Sequence, residues 1–245
     1  MYLIFDTETT GLPKKWNAPL SDSDNWPRCV QISWQIHDQV GGLISNRDYL
    51  IKPDGFNIPY DSEKIHGIST ELASQKGEDI NNVLNFFQDD LKKVQFIIGH
   101  NVNFDRNIFG AEFLRKGIDD PFPVLKIIDT CTEETANLCQ IKGGPRGRFK
   151  LPTLTELYFF LFNDKFQDAH NATADVEATA RVFFELIRRK LIKPNAFDDQ
   201  SSQTNQITEI QNAISLYGIK HKNLRLESQK LKKPSASNKK PNLDQ

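Results

Sequence analysis

The stretch Tyr2-Leu3-Ile4-Phe5-Asp6-Thr7-Glu8-Thr9-Thr10-Gly11-Leu12 constrains this chain more than any other. A run of large apolar residues describes a buried strand, and a Thr-Thr-Gly turn ends it. Side chains alternate across a strand, so Asp6 and Glu8 lie on one face and Thr7 on the other. Two carboxylates held side by side at the end of a buried strand repel each other and lose hydration, so something must compensate, and a divalent metal is the expected compensation. Hard carboxylate oxygens select Mg²⁺ or Mn²⁺ for that task. A pair of acids on a solvated strand end is the plain alternative, and the rest of the chain has to decide.

With 245 residues, the chain is long enough for one domain with a substantial core. Hydrophobic residues make up 38% and charged residues 26%, the balance of an ordinary soluble globular protein. A net charge of −1 excludes a global basic field, so any nucleic-acid contact has to use a local patch. The three cysteines, Cys29, Cys131 and Cys139, are odd in number and lack zinc or redox spacing. They imply reduced thiols and a cytoplasmic setting. Met1 runs straight into the strand, so no signal peptide is expected, and no apolar stretch approaches a membrane span.

Residues Pro13 to Arg28 form an irregular loop carrying Lys14, Lys15, Trp16, Trp26 and Arg28. Such a loop beside an acidic site can stack a base and hold a phosphate, or its tryptophans simply anchor it to the domain. From Cys29 the pattern alternates strictly, with Val30, Ile32, Trp34 and Ile36 on one face and Gln31, Ser33, Gln35 and His37 on the other. This predicts a half-buried strand, and the turn at Gln39-Val40-Gly41-Gly42 returns the chain into a second strand over Leu43–Ile51. His37 reads as a polar-face residue without a function. A short helix is predicted over Tyr60–Ile65, closed by His66-Gly67, and an amphipathic helix over 78–92. Phe96-Ile97-Ile98 is a short buried strand stopped by Gly99. Strands separated by helices after an initial hairpin give an α/β fold, a mixed sheet with helices on its faces.

Two further stretches carry chemistry. In Gly99-His100-Asn101-Val102-Asn103-Phe104-Asp105, Asn101 is the expected helix cap and Asp105 falls early in the helix, where an acid serves either the helix dipole or a site. Lys126–Asp129 is another short strand. Between Ile141 and Lys150 lies a glycine-rich basic loop with Lys142, Arg146, Arg148 and Lys150, either a mobile solvated loop or a phosphate-contacting lid. A helix over Pro152–Phe162 follows. In the last stretch, Ala169-His170-Asn171-Ala172-Thr173-Ala174-Asp175, His170 lies at the start of a long helix that runs to about Lys190. The dipole there disfavours the imidazolium and leaves a neutral base, while a capping polar residue is the structural alternative.

Taken in order, these stretches and Ile65-His66-Gly67-Ile68 resemble the DEDDh 3′–5′ exonucleases, and among them the epsilon-type proofreading subunits of bacterial DNA polymerase III. The resemblance covers residues 1 to about 190 and implies a ribonuclease-H-like fold with a mixed five-stranded sheet and helices on both faces. It implies two divalent metal ions, Mg²⁺ or Mn²⁺, on Asp6, Glu8, Asp105 and Asp175, with Asp105 acting through water and His170 as general base. The product is a nucleoside 5′-monophosphate released from a 3′ end. The segment Thr7 to Thr10, including Thr7 and Thr9, together with Leu12 and His66, is implied to hold the terminal nucleotide, and Phe104 either flanks a base or packs in the core. The expected partner is a single-stranded nucleic-acid 3′ end, DNA before RNA, with no membrane. An exoribonuclease of the same superfamily and a non-catalytic nucleic-acid-binding module are the alternatives.

From Pro194 the composition turns to Asn, Gln, Ser and Lys. The expected division is a catalytic domain over 1–193 and a flexible polar and basic tail over 194–245. Within the tail, Gln211-Asn212-Ala213-Ile214-Ser215-Leu216-Tyr217 is similar to the peptides by which replication proteins dock on the sliding clamp. Segment 211–217 reads either as a docking peptide for a clamp or a replicative polymerase, or as a chance match whose Ile214, Leu216 and Tyr217 pack back on the domain.

Overall fold

The computed structural model describes residues 1–166 and 169–193. The tail expected over 194–245 and its docking peptide 211–217 lie outside the described residues. Within the compact unit Met1–Ile192, five strands form: β1 (Tyr2–Thr9), β2 (Cys29–His37), β3 (Leu43–Leu50), β4 (Phe96–Gly99) and β5 (Lys126–Asp129). They lie in the order β3-β2-β1-β4-β5. The β2–β3 hairpin and the β1–β2 pair are antiparallel, whereas β1–β4 and β4–β5 are parallel.

Parallel neighbours need a crossover, and helices supply it. Between β3 and β4 come α1 (Tyr60–His66), α2 (Thr70–Lys76) and α3 (Ile80–Leu91), and α4 (Val102–Arg115) joins β4 to β5. Then follow α5 (Glu133–Cys139), α6 (Leu154–Phe162) and α7 (Ala172–Arg188). Helix α2 has no periodic signal in the sequence, because it is seven residues long and buries only Ala73. Ser69 defines its start by accepting the Leu72 N–H.

The alternation of β1 sorts these helices onto the two faces of the sheet. Leu3 and Phe5 join Trp34, Phe87, Phe109 and Phe113 in a core under α3 and α4. Tyr2 and Ile4 turn the other way and pack with Ile98 against Val176, Ala180 and Phe183 of α7. Another face of α7 carries α6, through Leu157, Tyr158 and Leu161. This is the ribonuclease-H-like arrangement of a mixed sheet with helices on both faces.

Three local expectations are corrected. β2 is not half-buried: all nine of its residues are buried. Its polar face is covered by α7, with Gln31 Oε1 accepting the Ala172 N–H at 3.4 Å and the His37 ring 5.3 Å from that of Phe184. Alternation there marks which side chains hydrogen-bond inside, not which reach water. Secondly, Asn101 is a cap by position only; its φ is 63° and its side chain makes no capping bond. Asp129 does that work, accepting the N–H groups of Asn101 at 2.8 Å and Val102 at 3.1 Å, because β5 ends level with β4 (Gly99 opposite Asp129). The third concerns the 141–150 loop, which is solvated as expected but tied to the neighbouring helices. Arg148 pairs with Glu133, Lys150 Nζ with Glu156 at 2.7 Å, and a Cβ on Gly144 would stand 2.3 Å from the Phe149 carbonyl.

Phe87 stands at the centre of the larger core, with ring contacts to Phe5, Trp34, Phe109 and Phe122. Phe87→Ala should cost about 3–5 kcal/mol of stability, the usual loss for a fully buried aromatic. Urea unfolding with unchanged m-value would read this as a lowered midpoint.

Candidate active site

β1 outruns its parallel neighbour. The β1–β4 pairing stops at Ile4 opposite Ile98, so Asp6, Thr7 and Glu8 continue past the end of β4 into a notch of the sheet. On the face shared with Ile4, α7 arrives. Its first turn is set by the Asn171 side chain, which accepts the N–H groups of Thr173 at 3.1 Å and Ala174 at 3.4 Å. Asp175 lies in that turn, and carboxylate oxygens of Asp6, Glu8 and Asp175 come within 4.8 Å of one another. The His170 N–H donates to Asp175 Oδ2 at 3.1 Å, which fastens the segment before the helix to the acid. His170 adopts φ 70°, and its side chain is exposed at the rim.

Asp105 comes from the opposite face. Thr7 points toward α4, where Asp105 Oδ1 accepts both the Thr7 N–H at 3.0 Å and the Thr7 hydroxyl at 2.7 Å. That N–H has no partner on β4, so the carboxylate replaces a sheet hydrogen bond. Asp105 is only 3% exposed, which sets it apart from an acid serving a helix dipole in solvent.

Burial raises the pKa values of all four acids, and repulsion within the set adds to it for Asp6 and Glu8. For Asp6, burial is the largest cause, followed by the charges of Asp105, Asp175 and Glu8, and its carboxyl lies well above the usual range. Burial and the charge of Asp175 push Glu8 up to about 8. Burial lifts Asp105 to about 7 against the opposing hydrogen bonds from Thr7, and Asp175 to about 6 against the His170 N–H. Oxygen donors this close and this dehydrated, with no cationic side chain paired to them among the described residues, fit a divalent cation.

The remaining expected residues surround this centre. His66 is 9% exposed, and its Nδ1 accepts the Ile68 N–H at 3.1 Å, so the neutral ring carries its proton on Nε2. That Nε2 is buried without a hydrogen-bond partner, although the Thr9 backbone is near enough to oppose the burial that lowers the ring's pKa. The Thr9 hydroxyl is used internally, donating to the Gly11 carbonyl at 2.7 Å. Gly11 turns the chain at φ 141°, which favours glycine. Leu12 is 72% exposed, and Phe104 is half-buried under the Trp16 ring. His100 is structural, bonded at 2.9 Å to both the Thr130 hydroxyl and the Pro152 carbonyl. Asp129 and Gln31 escaped the sequence reading, because a cap and a helix anchor supplied from distant strands leave no local signal.

The RNase_T exonuclease family model matches residues 3–183. A PolC-type DNA polymerase III of Streptococcus suis is 28% identical over 209 residues, covering 85% of this chain and 12% of that protein. The corresponding polymerase of Lacticaseibacillus paracasei is 25% identical over 185 residues, 76% of this chain and 11% of that protein. This chain thus spans only a small part of the length of either relative. Among solved structures, E. coli exonuclease I in complex with a dT13 oligonucleotide superposes with a TM-score of 0.61 at 22% identity, over 80% of this chain and 42% of that one. Exonuclease I from Methylocaldum szegediense gives 0.60 at 19% identity, over 77% and 40%. These likenesses establish the fold.

The raised carboxyls have a consequence for stability. Glu8 ionises near 4.5 in a free chain but near 8 in the folded, metal-free protein. Its contribution is therefore complete below the lower value and lost as pH rises through the upper one. In EDTA, the Tm of the wild type should fall between about pH 4.5 and pH 8. Glu8→Gln should raise the pH 8 value by roughly 2–4 °C or more, the equivalent of about 1 kcal/mol for a domain of this size. The gain should vanish near pH 4, and Mg²⁺ should raise the wild-type Tm more than the variant's. Scanning calorimetry reads all of these; a wild-type Tm independent of pH would show the acids ionised without metal.

Proposed function

From the premise that the chain belongs to the RNase_T exonuclease family and is a nuclease of the DEDDh type, we propose that it removes nucleoside 5′-monophosphates from the 3′ end of single-stranded DNA. The observation that carries this reading is the convergence of Asp6, Glu8 and Asp175, with Asp105 behind Thr7 and His170 at the rim. The oligonucleotide held by E. coli exonuclease I on the same fold supports it, as do the PolC-type relatives, which favour DNA and a proofreading role beside a polymerase.

Asp6, Glu8 and Asp175 are the residues that would hold divalent metal, two ions in the DEDDh manner, with Asp105 completing the set from the other face of β1. Bound there, Mg²⁺ or Mn²⁺ supplies Lewis-acid stabilisation to the charge that grows on the phosphate and the leaving 3′-oxygen. His170 takes the proton of the attacking water. Its exposed ring can reach solvent while its backbone is fixed to Asp175, so the base is positioned relative to the acids. His66 Nε2–H, buried near the Thr9 backbone with no well-formed hydrogen bond among the described residues, would be satisfied by an oxygen of the terminal nucleotide. Thr7 and Thr9 spend their hydroxyls on Asp105 and Gly11, so their contacts to the nucleotide fall to the backbone, with Leu12 and Phe104 against the base.

Asp6→Ala or Asp175→Ala should abolish Mg²⁺-dependent release of mononucleotides while the protein stays folded; undiminished turnover in either variant would refute the assignment. His170→Ala should lower the rate by roughly 10²–10⁴-fold and leave metal affinity intact. Metal affinity is read by calorimetry, and its loss would make His170 a ligand instead. Matched DNA and RNA oligonucleotides should separate the substrate, with DNA degraded faster; preference for RNA would identify an exoribonuclease.

A further inference from the structure

The loop over residues 13–28 contains two tryptophans, and the structure gives them opposite fates. Trp26 is 3% exposed and donates its indole N–H to the Pro19 carbonyl, so it anchors the loop. Trp16 is 59% exposed. A single exposed apolar residue is ordinary on its own, so the case for Trp16 rests on how the loop carries it and on what stands beside it.

The backbone that carries Trp16 is fastened on both sides. The buried Asn25 side chain brackets Lys15, accepting its N–H at 2.7 Å and donating to its carbonyl at 2.9 Å. The Lys14 N–H donates to the Asn25 carbonyl at 3.1 Å. Arg115 of α4 ties down the far side through the Ser23 and Trp26 carbonyls, both at 2.6 Å. The Trp16 ring stands beside Phe104, with ring centroids 5.9 Å apart and planes inclined at 46°. Phe104 is the residue immediately before Asp105. Lys14 and Lys15 are exposed beside Trp16, whereas Arg28 at the end of the loop is committed to Glu112.

A solvent-facing indole on a fastened loop, next to lysines and near the acids to which the exonuclease reading assigns the phosphate, matches how single strands are held: aromatic faces stack on bases and cations follow the backbone. We propose that Trp16 is a base-stacking positioning residue, which engages an unpaired base of the strand entering the site while Lys14 and Lys15 neutralise its phosphates. The destination of that strand rests on the exonuclease reading; the binding surface itself does not. Stacking tolerates any base but needs an unpaired one, so Trp16 selects single strands without selecting sequence.

The chain has three tryptophans, and Trp26 and Trp34 are buried, so quenching of tryptophan emission reports Trp16. The full chain in EDTA, where hydrolysis stops, is titrated with single-stranded DNA of about eight nucleotides. DNA should quench the emission, and an abasic oligomer with the same number of phosphates should not. Trp16→Ala should weaken binding by roughly 5- to 100-fold, read by anisotropy of a labelled strand, and Trp16→Phe should restore most of it. With Mg²⁺ the loss should fall on KM rather than kcat. Equal affinity of wild type and Trp16→Ala, or quenching by the abasic oligomer as strong as by DNA, would overturn the proposal. A chain that binds and is quenched as expected but turns over no substrate would overturn the exonuclease reading and leave the Trp16 site standing.

Discussion

Like charge gathered at the end of a central strand is the constraint around which this protein is built. Asp6 and Glu8 are placed on one face by the pleat of β1, and Asp175 is added to them, so the metal-free fold holds carboxyls against both burial and repulsion. Everything that keeps them together is therefore doing so at a cost, and the cost has to be met by packing elsewhere. The aromatic core under α3 and α4 and the α7 contact with Tyr2 and Ile4 supply that packing. An acid cluster maintained this way has the donor chemistry to take a divalent cation, for which protons would compete.

Position in the sheet explains why the acids can converge at all. β4 stops pairing with β1 at Ile4, so the segment carrying the acids extends beyond its neighbour and is approachable from both faces. α7 comes to one face with Asp175, and α4 comes to the other with Asp105, which replaces the missing strand partner of Thr7. Each helix start is held by a group from outside the helix or from its cap: Asp129 for α4, and Asn171 with Gln31 for α7. These fastenings set the positions of Asp105 and Asp175 without touching them.

The same division between anchor and presented group recurs in the loops. Trp26 and Asn25 are buried to fix the 13–28 segment, and Trp16 is what the segment displays. The glycine-rich loop repeats it in another key, since Gly144 permits a close backbone approach and Arg148 and Lys150 are held by acids on α5 and α6. Composition alone makes both segments look irregular and solvated, which they are, and hides the anchors that tie them down.

Local pattern determined much of this protein. The apolar run ending in Asp6-Thr7-Glu8, the hairpin after Cys29, the amphipathic α3 and α7, and the order of acids and histidines all depend on neighbours within a few residues, so they are legible as written. Tertiary structure decided what depends on residues far apart. It buried the polar face of β2 under α7, transferred the cap of α4 from Asn101 to Asp129, and gave Asp105 to Thr7 across 98 positions. It also separated Trp26 from Trp16, which share one loop and one residue type. The physical reason is common to all of these. Hydrogen bonds and burial are settled by which surfaces the chain brings together, and a strand's alternation or a loop's composition records only which groups are available to meet.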